Sequence, residues 1–198
     1  MQDLHALYKQ HKQYAVPVLI LLIMAAIHFL PTPWQDLVNY HRTEINQGQW
    51  WRWLSGHFAH TNGMHAVMNG FALALVANLY AKWLPPLKQT ILLLVMCCLT
   101  SVGIYLGSPH LVDYVGLSGV LHGLFVAGAC KDIQEKEKTG YILLLAIVIK
   151  VVYEQVFGAS KSVAQMINAP VATDAHLWGA ISGLAVFALI YVVGSKTS

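Results

Sequence analysis

Residues 115–130 read Val-Gly-Leu-Ser-Gly-Val-Leu-His-Gly-Leu-Phe-Val-Ala-Gly-Ala-Cys, an apolar run with no Asp, Glu, Lys or Arg. It is too greasy for a surface helix, yet it carries Ser118 and His122 in its interior. Similar runs lie on both sides, at about 14–30, 64–84, 87–107, 141–158 and 174–194. Together they predict six spans, since a spanning helix needs about 20 apolar residues. The composition agrees. Of the 198 residues 57% are hydrophobic and 11% charged, against about 25% charged in a soluble domain. Mean hydropathy is +0.54. The expected fold class is an all-α polytopic membrane protein with six transmembrane helices. It is read as one membrane domain over 1–198 with a long first loop at about 31–63.

The formal net charge is +3. Lys and Arg form no basic stripe, so nucleic acid is not an expected partner. Cys97, Cys98 and Cys130 form no Cys-x-x-Cys and read as small core hydrophobes. Lys9 and Lys12 before the first apolar run mimic a signal peptide. The run ends at Phe29-Leu30-Pro31 with no small-residue cleavage site, so it reads as a retained helix. Trp34, Trp50, Trp51 and Trp53 in the first loop suit a membrane–water interface.

Positive charges set the expected orientation. Lys9, Lys12, Lys82, Lys88, Lys131, Lys136, Lys138 and Lys196 fall on one side, and Arg42, Arg52 and Lys161 on the other. The positive-inside rule puts the first group, and both termini, in the cytoplasm. Spans two, four and six then descend from the outer face. Each opens on polar residues: His65 and Asn69 on one face of span two, Ser118 in Gly116-Leu-Ser-Gly119, and His176 in Ala175-His-Leu-Trp-Gly179. If the three helices are neighbours, these groups meet at one depth.

The residue types fit acyl transfer. A serine hydroxyl needs a base to become a nucleophile, and an imidazole is a base of suitable pKa. His65 and Asn69 can donate hydrogen bonds to a developing oxyanion. No acidic residue is placed beside His176 in sequence except Asp174, expected at the interface, so a Ser118–His176 dyad is expected rather than a triad. Gly119 with Gly123, and Gly179 with Gly183, give spans four and six the small-residue spacing that allows close helix approach.

These motifs resemble those of the rhomboid intramembrane serine proteases. Gly116 to Gly119 match the family's Gly-x-Ser-Gly, and His65 and Asn69 its His-x-x-x-Asn. Ala175, His176, Gly179 and Gly183 match its Ala-His-x-x-Gly-x-x-x-Gly, and Trp51-Arg52 its first-loop Trp-Arg. The resemblance implies a rhomboid-like bundle in which Ser118 is the nucleophile and His176 the general base, then acid. It implies an oxyanion hole of the Ser118 amide, His65 and Asn69, and no cofactor or metal. The family's Tyr four residues after the serine is His122 here, a departure that puts an ionisable group beside the site. Gly-Leu-Ser-Gly-Val-Leu-His-Gly and Asp-Ala-His-Leu-Trp-Gly look most like the rhombosortase branch. That likeness implies an inner-membrane enzyme whose partners, besides the bilayer, are membrane-anchored exported proteins with C-terminal Gly-Gly tails.

Other residues have plainer readings. His57 and His60 are expected to shape the first loop rather than bind metal, and His28 and His110 to be structural. Arg52 is expected to tie down the first loop through carbonyl hydrogen bonds, or to be a plain interfacial charge. Lys150 and Glu154, four apart in span five, are expected to neutralise each other, or Lys150 to snorkel. The resemblance puts span five beside a lateral entrance, which makes the pair a candidate for substrate recognition. Competing functions are a catalytically inactive relative that binds membrane clients and a His-rich metal or proton transporter.

Overall fold

The computed structural model describes residues 11–80 and 84–195. Lys9, Lys82 and Lys196, three of the charges that set the expected orientation, lie outside them. The described residues are helical almost throughout. After a single 3-10 turn, α1 (Ala15–His28) ends before Pro31. The first loop is not extended chain: it folds into α2 (Thr32–Val38), α3 (Arg42–Asn46) and α4 (Arg52–Ser55). Then come α5 (Gly63–Tyr80), α6 (Pro86–Gly107), α7 (Ser118–Gln134) and α8 (Lys138–Phe157). A short α9 (Lys161–Ile167), where only a loop was expected, precedes α10 (Thr173–Ser195).

By length and composition, three of these helices are apolar enough to cross a membrane: Pro86–Gly107, Lys138–Phe157 and Thr173–Ile190. Lys12–His28 and Gly63–Leu79 are apolar but shorter. α7 has 17 residues, about 26 Å of helix at 1.5 Å per residue. The outward faces are greasy: Leu22, Phe71, Ile91, Ile142, Leu145, Ile149, Val156 and Leu189 are all exposed. In water such a surface would drive aggregation; against lipid it is the solvated face.

The polar ends of the helices are closed by specific residues. Asn62 caps α5, its Oδ1 accepting from the His65 amide at 2.9 Å, which satisfies one of the free N–H groups of the first turn. Arg42 closes the C-terminus of α6, donating to the carbonyls of Ile104, Tyr105 and Ser108 at 2.8–3.0 Å. Arg52 is buried and donates to the carbonyls of Asp36 and Asn39, both at 2.6 Å, so it does tie the first loop together. Two-residue strands β1 (Tyr40–His41) and β2 (Asp113–Tyr114) pair antiparallel, Tyr40 opposite Tyr114. Through them the first loop holds the segment that leads into α7.

α7 is the hub of the bundle, packed on α5, α6, α8 and most extensively on α10. The two expected glycine pairs face each other across this contact. A Cβ on Gly119 would stand 2.7 Å from the Ala175 carbonyl oxygen, and one on Gly123 2.6 Å from that of Gly179. A Cβ on Gly179 would collide with the Gly119 carbonyl oxygen. The helices meet backbone to backbone, as small residues at this spacing allow. A third pair was not anticipated: Gly103 and Gly107 of α6 form the flat seat for the Trp178 indole, whose Nε1 donates to Ser108 Oγ at 3.0 Å. Cys97 and Cys130 are buried as expected, whereas Cys98 is exposed on the outer face of α6.

Candidate active site

Ser118 is the first residue of α7 and half-buried. Its amide belongs to the first turn, where N–H groups have no acceptor within the helix and the macrodipole is positive. Gly116, two residues earlier, has φ +123, a conformation that favours glycine. It also has no room for a side chain, because a Cβ would come within 2.8 Å of the His65 ring. Its amide donates to the Gly56 carbonyl at 3.0 Å, and its carbonyl accepts from the buried Tyr114 hydroxyl. Burial raises the Tyr114 phenol above its ordinary pKa, so it remains a donor. The turn before Ser118 is thus fixed from both sides.

The close α7–α10 contact brings His176 to this turn. Its Nε2 lies 2.9 Å from Ser118 Oγ. The ring is buried, and His122, one turn along α7, lies flat on it at a centroid separation of 4.2 Å and 19° between planes. His122 Nδ1 donates to the Ser118 carbonyl at 2.7 Å, which fixes its ring. The other nitrogen of His176, Nδ1, is 2.7 Å from Glu154 Oε2 on α8. Lys150 Nζ lies 2.6 Å from the second oxygen of the same carboxylate. Lys150 and Glu154 do pair, as the spacing implied, but Glu154 also reaches the histidine. The sequence alone placed no acidic group beside His176 except Asp174, which pairs with His110 instead.

His65 and Asn69 project from α5 toward Gly116, where the His65 Nε2 and Asn69 Nδ2 come nearest to the missing side chain. The two residues are distinguishable as donors. Thr61 Oγ1 donates to the Ile167 carbonyl at 2.6 Å, so it accepts from His65 Nδ1 at 3.1 Å. In neutral His65 the proton therefore sits on Nδ1 and Nε2 is bare. Asn69 Nδ2 is buried and makes no hydrogen bond within the protein, which leaves a donor free beside Gly116, two residues before Ser118.

His57 is fully buried and bonds Cys97 O at 3.0 Å and Ser101 Oγ at 2.9 Å. His60 bonds Phe58 O and packs edge-on against His65 at 4.9 Å. Both shape the first loop. Burial holds His57 down to about 4; burial and the neighbouring His65 hold His60 down to about 3. His110 pairs with Asp174 at 3.1 Å and lines the same cleft as Ser118. A cleft of about 560 Å³ opens next to the site, lined by Ser118, His65, Thr61, Val115, Ile167 and Pro170 among others. Only one trio of described residues has metal-binding potential: His122, Glu154 and His176 each bring a ligand atom within 4.8 Å of the others. Both nitrogens of His176 are already engaged, by Ser118 and Glu154.

A helical bundle with an outward-facing apolar surface and a half-buried serine–histidine contact defines a class of membrane protein. A Rhomboid domain model matches residues 47–193, and the chain belongs to the rhomboid family. It is 25% identical over 119 residues to "Putative rhomboid protease YdcA" of Bacillus subtilis (strain 168), an overlap that takes in 57% of this chain and 60% of that protein. The chain thus spans about 60% of the length of that relative.

Proposed function

We propose that this protein is an intramembrane serine endopeptidase that cleaves membrane-tethered proteins near the outer face of the bacterial inner membrane. The 2.9 Å contact between Ser118 Oγ and His176 Nε2 carries the reading. Ser118 attacks the scissile carbonyl while His176 takes its proton. His176 then returns that proton to the leaving amine, and water hydrolyses the acyl-enzyme. The Ser118 amide and Asn69 receive the oxyanion, with His65 beside them. Ionised groups inside a bilayer are costly and mark functional sites, and six spans supply such an environment. On this reading residues 1–198 form one membrane domain. Arg42, Arg52 and Lys161 lie at the Ser118 end of the helices, and Lys88, Lys131, Lys136 and Lys138 at the other, which favours both termini in the cytoplasm. A helix of about 26 Å is shorter than the hydrocarbon core of about 30 Å; with Lys131 of its last turn at the inner surface, α7 starts below the outer surface, and the cleft beside Ser118 gives water a route to it.

The Gly-Leu-Ser-Gly-Val-Leu-His-Gly and Asp-Ala-His-Leu-Trp-Gly motifs favour the narrower rhombosortase reading, in which substrates are exported proteins with C-terminal Gly-Gly tails. A strain lacking this protein is then expected to leave such proteins unprocessed; normal processing overturns the narrower reading. The His122–Glu154–His176 trio favours one other chemistry, a metal site. A cleavage assay on a tethered substrate separates the two. Serine chemistry predicts that Ser118→Ala and His176→Ala abolish cleavage and that a chelator does not. Chelator-sensitive cleavage with an active Ser118→Ala variant contradicts it.

A further inference from the structure

We propose that Glu154 is the positioning residue of a Ser118–His176–Glu154 triad, held in its working form by Lys150. The proposal rests on the serine-protease reading above. Its grounds are three contacts in line: Ser118 Oγ to His176 Nε2 at 2.9 Å, His176 Nδ1 to Glu154 Oε2 at 2.7 Å, and Glu154 Oε1 to Lys150 Nζ at 2.6 Å.

An ionised carboxylate accepts hydrogen bonds and cannot donate them. Lys150, bound to one oxygen, keeps Glu154 ionised. The other oxygen then requires that His176 present Nδ1–H, which leaves the Nε2 lone pair facing the serine hydroxyl. That is the tautomer a general base needs; the opposite one would point a proton at Ser118. In the attack, the Oγ lone pair bonds the carbonyl carbon, the C=O π pair moves onto oxygen, and the Oγ proton passes to Nε2. The imidazolium formed then lies against the Glu154 anion. It gives the same proton to the leaving nitrogen as the C–N bond breaks, so Glu154 ends each cycle as it began.

A plain ion pair does not account for this arrangement. The Glu154 side chain is 10% exposed and that of Lys150 is 48% exposed. A pair serving only to neutralise itself needs just the Lys150 contact to Oε1 and no partner for Oε2. Glu154 instead turns inward and gives its second oxygen to a histidine 22 residues away. α8 packs against both α7 and α10 through an apolar cluster that includes Ile147, Val151, Val126 and Leu177, and this packing sets Glu154 beside His176.

The test uses the full chain in detergent and the rate at which a fluorophosphonate labels Ser118, which involves no peptide substrate. Ser118→Ala is the reference: if it still labels, the serine-protease reading itself fails. With Ser118→Ala silent, Glu154→Gln is expected to slow labelling by about 10²- to 10⁴-fold, the range that misorienting a catalytic histidine produces. The acidic limb of the pH–rate profile should also move to lower pH, because the imidazolium loses its anion. His122 from α7, His65 from α5, and Lys150 and Glu154 from α8 are the titratable and charged groups facing His176, and only Glu154 changes in this comparison. Glu154→Asp should recover part of the rate. Labelling at the wild-type rate with an unmoved limb overturns the proposal. So does slow labelling with an unmoved limb, which would mean damaged packing alone. If Glu154→Gln shows no thermal transition, Glu154→Asp decides: a reduced rate with a moved limb supports the triad, and wild-type behaviour in both overturns it.

Discussion

His122 lies flat against His176, with ring centroids 4.2 Å apart, and hydrogen-bonds the carbonyl of the serine that His176 contacts. One imidazole is thus clamped between a neighbouring ring and a carboxylate, and the clamp is built from α7 and α8 while the histidine comes from α10. A ring contact of this kind is worth about 0.5–1.5 kcal/mol. His122→Ala is therefore expected to slow fluorophosphonate labelling by about 2- to 12-fold. His122→Tyr, which keeps an aromatic face there, should stay closer to the wild type. Equal rates for wild type and His122→Ala would show that the stacked ring does not position His176.

Asn69 should matter more to turnover than His65. The Asn69 amide is buried with a free donor, whereas the proton of neutral His65 is committed to Thr61. Loss of one oxyanion donor costs about 10²–10³ in rate. Asn69→Ala should show that loss in kcat on a tethered substrate, with KM little changed. A His65→Ala effect larger than that of Asn69→Ala would reverse the assignment.

Helix contact at the glycine pairs is expected to be as important as the catalytic groups. Any side chain on Gly179 collides with the Gly119 carbonyl, and backbone cannot swing aside as a side chain can. Gly179→Ala should destabilise by about 1–3 kcal/mol, the usual cost of overpacking, and should lower activity in parallel by separating Ser118 from His176. Gly63→Ala is the control, since its Cβ would meet only His28, at 3.5 Å. Thermal unfolding in detergent distinguishes them; a Gly179→Ala melt like that of Gly63→Ala contradicts the packing described.

The first loop should make the fold acid-sensitive. His57 is held neutral by burial, at about 4, while the unfolded chain titrates near about 6.5. Below about pH 6.5 the unfolded state binds a proton that the folded state refuses, so stability falls as pH drops toward about 4. His60 acts in the same direction. His41 acts in the opposite one. Burial lowers its pKa, but hydrogen bonds to Asp113 at 2.5 Å and Asp36 at 2.9 Å outweigh burial and raise it. Its contribution is complete below about 6.5 and fades as pH rises through the raised value. Both carboxylates are largely exposed, so this second effect should be small. Melting temperatures measured from pH 4 to pH 8 should fall steeply on the acid side; a flat acid limb would contradict the burial of neutral His57.

Much of the site could be read from the chain because its parts lie at helix starts. Ser118, His176, His65 and Asn69 follow breaks in hydropathy, and the glycine spacing announced which helices meet. Arg52 was legible as a loop tie. Glu154 was not. Its neighbour Lys150 at four residues' distance offered a complete local explanation, and the rotation of α8 that turns one oxygen toward His176 depends on packing between helices far apart in sequence. The Gly103–Gly107 seat for Trp178 carried the same spacing as the other glycine pairs, but it answers to a side chain on another helix rather than to a second glycine pair. Arg42 read as a loop charge because nothing local marks the carbonyls of α6 as its targets. α2, α3, α4 and α9 are too short for periodicity to reveal.

The most direct measurement is the mass of the labelled peptide. After fluorophosphonate treatment of the intact protein and digestion, the account predicts a single phosphonyl adduct on Ser118, absent when His176 is replaced by alanine. An adduct on another residue, or an unchanged adduct on Ser118 without His176, would contradict the claim that this serine and this histidine act together.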